Sequence, residues 1–182
     1  MKKTVLTFGL ISGAISSVMM AAAIPFQDRI GFERAEIVGY TTIVLSFLLV
    51  YFGIRSYRDN VGQGHITFWK ALGVGVLITL VSSVCYVVTW EIIYYNFLPD
   101  FMDKYGAYLV AKAKASHATP DALQAQLQQL KEMKRLYQNP FFNAALTFVE
   151  PLPIGLAITL LSAAVLRRRT PSQGAEAALP AS

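Results

Sequence analysis

Four long apolar runs set the pattern of this chain. Short charged stretches separate most of them, and one longer polar stretch separates the third from the fourth. The clearest run lies between Lys70 and Glu91: twenty residues without a charge, long enough to cross a bilayer as a helix. Trp69 and Trp90 stand 21 positions apart. That is roughly 31 Å of helix, close to a hydrocarbon core of about 30 Å, and tryptophan favours both edges of such a core. Glu91 and the aromatic cluster Tyr94, Tyr95 and Phe97 sit at one mouth, and Trp69 with Lys70 at the other.

Taken in order, the runs predict spans over about 4–24, 37–54, 69–97 and 141–166. The first follows Lys2 and Lys3 and ends at Pro25. Ala21-Ala22-Ala23 offers a small-residue cleavage site, but the run is longer than a signal peptide's apolar region of about 7–15 residues. A retained helix is therefore expected. Gly9, Gly13, Ser17 and Ala21 recur every four residues on one face of it, where another helix can approach closely. Ala71, Gly75, Thr79 and Ser83 form a second such seam on the third span. The polar stretch of about 100–139 reads as two helices broken near Ser116–Thr119, with Thr119 as N-cap and Pro120 at the first helical position. Leu123, Leu127, Leu130, Met133 and Tyr137 form an apolar stripe on the second of these. It either packs hairpin-fashion, lies on lipid, or meets a partner. The tail 170–182, rich in Pro, Ala, Gly and Ser, is expected to be disordered.

Composition agrees with a membrane setting. Only 15% of the residues are charged, against about 25% in soluble domains, and 54% are hydrophobic. The net charge of +5 does not point to nucleic acid. Lys2, Lys3, Arg55, Arg58, Lys70, Arg167, Arg168 and Arg169, eight of the sixteen basic residues, flank the apolar runs. These eight fall on one side, which makes that side cytoplasmic and puts both termini there. The 25–36 loop and the helical hairpin are then extracytoplasmic. The single cysteine, Cys85, excludes an intrachain disulfide and a cysteine metal cluster, and fits a small packing residue.

Candidate chemistry narrows to two carboxylates at membrane depth. Counting back from Leu166 places Glu150 about 24 Å from the cytoplasmic edge; Glu91 lies near the outer interface. Carboxylates in lipid are costly and mark functional sites by default. If the two faced each other, they would share a proton or hold a cation. Pro151 and Pro153 follow Glu150 and free the carbonyls of Thr147 and Val149. Broken helices of this kind build transporter sites. The structural alternatives are that Glu91 snorkels among headgroups, that Glu150 pairs with Arg29, Arg34 or a hairpin lysine, and that the prolines mark a plain kink or the start of the true span. Nothing supports an enzyme: His65 and His117 fall on opposite sides of the predicted membrane, and no nucleophile elbow or metalloprotease motif occurs. No cofactor is expected.

The segments GYTTIVLSFLLVYFGIRSYRDN, GVLITLVSSVCYVVTWEIIYYNFLPDF and YQNPFFNAALTFVEPLPIGLAITLLSAAVLRR resemble the bacterial membrane family called domain of unknown function 4199, over roughly Lys2 to Arg168. The resemblance implies a small multi-span bacterial membrane protein and no assigned activity.

The expectation is one all-α membrane domain over 1–169: an integral bundle of four transmembrane helices with an extracytoplasmic helical hairpin between the third and fourth, set in the bacterial inner (plasma) membrane. It acts without catalysis, through helix–helix or partner contacts. The lipid bilayer is its solvent, and a homo-oligomer or an envelope protein is its partner. The alternative is a small transporter or ion-conducting oligomer using Glu91 and Glu150.

Overall fold

A computed structural model describes residues 1–117 and 119–168; the expected disordered tail lies outside the described residues. Among these residues the fold is all-helical. The helices are α1 (Lys2–Ala23), α2 (Gln27–Ile30), α3 (Phe32–Asn60), α4 (Phe68–Asn96), α5 (Phe101–Ala115), α6 (Pro120–Tyr137), α7 (Pro140–Val149) and α8 (Leu152–Leu166). Four segments are long and apolar enough to cross a membrane: Lys2–Phe26, Phe32–Asn60, Phe68–Asn96 and Pro140–Leu166.

Local chemistry fixes the boundaries. Gly31 adopts φ 76°, a left-handed conformation that separates α2 from α3. The Thr67 hydroxyl accepts from Lys70 N at the start of α4 (3.4 Å), and Thr119 does the same for Ala122 N at the start of α6 (3.3 Å). Asn139 caps α7 by accepting from Phe141 N (3.0 Å) and Phe142 N (3.4 Å), with Pro140 at the first helical position. At the end of the bundle that carries the chain termini, Ile66 and Arg168 exchange both backbone hydrogen bonds (3.0 and 2.9 Å) and tie the α3–α4 turn to the end of α8.

α4 is the central helix and packs against α1, α3, α7 and α8. Beside a hydrophobic core that includes Phe47, Val50, Ile54, Val74 and Ile78, the packing departs from that of a water-soluble protein. The buried layer holds Ser12, Ser16, Ser46, Thr79, Ser82, Ser83, Thr159 and Ser162, while Leu10, Val18, Leu45, Val84, Val88, Leu161 and Val165 point outward. In water such a surface would drive aggregation. In lipid it is the expected arrangement, because small and polar residues between helices supply close packing and interhelical hydrogen bonds. Ser12 donates to the Ser46 carbonyl (2.8 Å) and receives from Ser82 (3.0 Å), linking α1, α3 and α4.

Three expectations need correction. First, α3 runs well past 37–54 at both ends, and much of the 25–36 loop is helical. Glu, Arg and Ala are good helix formers, so the helix does not stop where hydrophobicity does. Secondly, Trp90 does not face outward. It is half-buried, packs edge-on against Phe101 (ring centroids 5.1 Å apart) and donates to Asn143 Oδ1 (3.0 Å). Trp69, 77% exposed, does face outward. Thirdly, the fourth span is not unwound at its prolines. Glu150 and Pro151 keep helical dihedrals (φ −56°, ψ −53° and φ −77°, ψ −17°), so α7 and α8 are halves of one kinked helix.

Candidate functional site

The kink has a consequence for the space beside it. At the end of the bundle away from the start of α1 and the end of α8, α1, α3, α4, α5, α6 and α7 surround a half-open chamber of about 470 Å³. The α3 wall comes from Phe32, Glu36, Gly39, Tyr40 and Ile43, spaced at three and four residues and therefore on one helix face. α4 contributes Tyr86, Trp90 and Ile93 by the same rule. α5 lines the chamber with Phe101, Met102 and Tyr105, α6 with Met133 and Tyr137, and α7 and its C-cap bring Thr147 and Glu150. Phe32 meets Phe101, Tyr105 and Tyr108 at centroid distances of 5.9, 5.5 and 5.3 Å, so an aromatic cluster holds α5 against the start of α3.

Glu150 sits at the kink. Its carboxylate is exposed to the chamber and accepts from the Tyr86 hydroxyl at 3.4 Å. Glu36 lines the same chamber from α3. Among the described residues neither forms an ion pair. Pairing of Glu150 with Arg29, Arg34 or a lysine of α5 or α6 therefore does not occur in this structure. At the rim, burial and the Glu150 carboxylate push the Tyr137 phenol above its ordinary range, so it stays protonated. Behind the chamber wall Asn143 is fully buried, and its Oδ1 accepts from Trp90 and from Thr147 (3.3 Å). This polar buttress fixes the Trp90 ring in the wall.

The structure separates the two carboxylates read from the sequence. Glu150 lines the chamber with Pro151 buried behind it, whereas Glu91 is not among the lining residues. Glu91 is half-buried, and its Oε1 has no hydrogen-bond partner among the described residues. Pro153 is exposed in the first turn of α8. Most of the seam residues are used inside the chain, Ala21 being exposed. A Cβ on Gly9 would stand 2.7 Å from Val81 Cβ, and one on Gly13 2.5 Å from Cys85 Cβ. Ser17 Oγ lies 2.7 Å from Thr89 Oγ1. Ala71 is fully buried, Gly75 meets Thr159 and Ile54, and Thr79 Oγ1 lies 3.4 Å from Thr159 Oγ1. One seam thus joins α1 to α4 and the other joins α4 to α8 and α3, leaving neither as an argument for a second copy of the chain.

With this geometry in place, comparison with known proteins gives one match. A family model described as "Protein of unknown function (DUF4199)" matches residues 7–168, nearly the whole described region. The chain belongs to the DUF4199 family. No curated protein and no solved structure matches it. The matched region of this DUF4199 chain contains the complete chamber lining. The sequence does not single out most of that lining as a site: Glu36, Gly39, Tyr40, Tyr86 and Tyr105 carry no assigned role there, and Tyr137 appears only in the apolar stripe. The available signals were the i, i+4 pairs Glu36/Tyr40 and Tyr86/Trp90 in otherwise apolar helices.

Proposed function

We propose that this DUF4199 chain is a four-span integral protein of the bacterial inner membrane that takes a small molecule into the chamber at Glu150 and catalyses no reaction. In this reading residues 1–169 form one domain, both termini are cytoplasmic, and α5 and α6 form an extracytoplasmic hairpin that roofs the chamber. The basic residues flanking the short loops support that orientation. The observation that carries the function is the chamber itself: about 470 Å³, mostly apolar, with two convergent carboxylates and no ion pair on either among the described residues. Those are the features of a small-molecule site.

Native mass spectrometry of the chain extracted from its own membranes tests this. Gly39 supplies the control, because a Cβ built there meets nothing within 4 Å and points into free space at a lining position. Gly39→Phe should plug the chamber without displacing a helix. A non-lipid adduct of constant mass, lost in Gly39→Phe, supports the reading. A bare chain, or the same phospholipid adducts in both forms, contradicts it.

A second reading has its own support. α6 has no buried residue, and Leu127 and Met133 are 41% and 42% exposed. An apolar face in this state suits an envelope partner docking on α5 and α6. Photo-crosslinking from Leu127, with capture of one defined envelope protein, distinguishes that role from ligand binding.

A further inference from the structure

The chemistry of the lining goes further and names a ligand class. This inference rests on the chamber being a binding site. Among the described residues the lining contains two carboxylates, Glu36 and Glu150, and no lysine, arginine or histidine. Around them stand the rings of Phe32, Tyr40, Tyr86, Trp90, Phe101 and Tyr105. The remaining wall is largely aliphatic, with Met19, Met20, Met102 and Met133 able to adapt to an irregular apolar body.

An anion is disfavoured twice, by both carboxylates and by the negative faces of the rings. A neutral apolar molecule would strip water from the two carboxylates without replacing it, which is costly. A small hard cation held without its water shell needs about six oxygen ligands. Among the described residues, no group of three His, Cys, Asp or Glu side chains is placed to provide them. An organic cation meets every condition. Its charge is diffuse and weakly hydrated, its apolar body is accepted by aromatic and methionine walls, and each ring face adds a favourable cation–π contact. A volume of about 470 Å³ admits a molecule of drug size. We infer that the chamber binds a lipophilic organic cation, with Glu150 as the principal counter-ion, Glu36 as the second, and the aromatic rings of the lining as its cage.

The test uses two ions of nearly equal size and shape and opposite charge. The full chain in phosphatidylcholine nanodiscs is equilibrated with radiolabelled tetraphenylphosphonium or tetraphenylborate, and binding to empty nanodiscs is subtracted. Saturable binding of one phosphonium per chain is expected, lost in Gly39→Phe and weakened about tenfold or more in Glu150→Gln, with a smaller loss in Glu36→Gln. Thermal melts show that each variant remains folded. No saturable uptake of the borate is expected. If both ions bind alike and Gly39→Phe removes both, the chamber is a binding site without charge selection, so this inference falls while the binding reading stands. If neither ion binds but the constant-mass adduct is seen, the inference again falls alone. If neither ion binds and no adduct is found, both fall.

Discussion

Gly73 and Gly75 stand two residues apart on α4, about 200° around the helix, and the same substitution should have opposite effects at the two positions. A Cβ on Gly73 meets nothing within 4 Å. A Cβ on Gly75 would fall 2.5 Å from Thr159 Cγ2 and 2.9 Å from Ile54 Cδ1. Comfortable carbon contacts need about 3.5–4.0 Å, so α8 and α3 would each have to give by roughly 1 Å. Overpacking of this kind costs about 1–3 kcal/mol. Replacing a mid-helix glycine by alanine returns about 0.5–1 kcal/mol. Gly75→Ala is therefore expected to destabilise the bundle by roughly 0.5–2 kcal/mol. Gly73→Ala is expected to stabilise it by at most about 1 kcal/mol, and by less where the unfolded span stays helical in detergent. The damage at Gly75 should spread to the Thr79–Thr159 contact in the same layer. Equilibrium unfolding in mixed micelles, read by tryptophan fluorescence, measures both variants against the parent. Equal shifts for the two, or a neutral Gly75→Ala, would refute the close-approach argument.

Two further outcomes follow from the same contacts. Asn143→Ala removes the acceptor for Trp90 Nε1 and Thr147 Oγ1; it should cost about 1–3 kcal/mol and alter Trp90 emission, whereas unchanged emission would mean the ring is held by packing alone. The Tyr137 phenol is raised first by burial and then by the Glu150 charge, so Glu150→Gln should move its ionisation part of the way back toward about pH 10. Spectrophotometric titration, assigned with Tyr137→Phe, checks this, and a phenol that does not move would place the carboxylate too far away to act.

How much was legible in the sequence depended on whether a feature was local. The spans were legible because an uncharged run of twenty residues has few other uses. Thr119 was legible as a cap for the same reason: cap, proline and helix adjoin in sequence. The glycine and serine seams announced close packing, but not against which helix, since a four-residue repeat gives a face and not a partner. The chamber was largely hidden. α4 is apolar all round, so its periodicity does not tell which face carries Tyr86 and Trp90. Trp90 misled because an amphipathic ring suits a membrane edge and a buried hydrogen bond equally well. Glu36 falls within the 25–36 loop by hydrophobicity alone, because helix α3 outlasts its apolar run. Glu150 stood out by cost alone, yet its real neighbours, Glu36 and Tyr86, come from other helices that only tertiary packing brings together.

The central claim is that a chamber at Glu150 opens to the extracytoplasmic side, and site-directed labelling in intact cells tests it most directly. The natural chain has one cysteine, so Cys85→Ala gives a clean background. Glu150→Cys in that background is treated, in intact spheroplasts, with a membrane-impermeant maleimide. Gln63→Cys, in the α3–α4 turn, serves as the marker for the other side. The account requires position 150 to be labelled from outside, with the rate cut sharply by the added Gly39→Phe plug, and position 63 to be labelled only once the membrane is opened. If position 150 reacts only after the protein is unfolded, or only from the side of position 63, then the chamber does not open outward and the account is wrong.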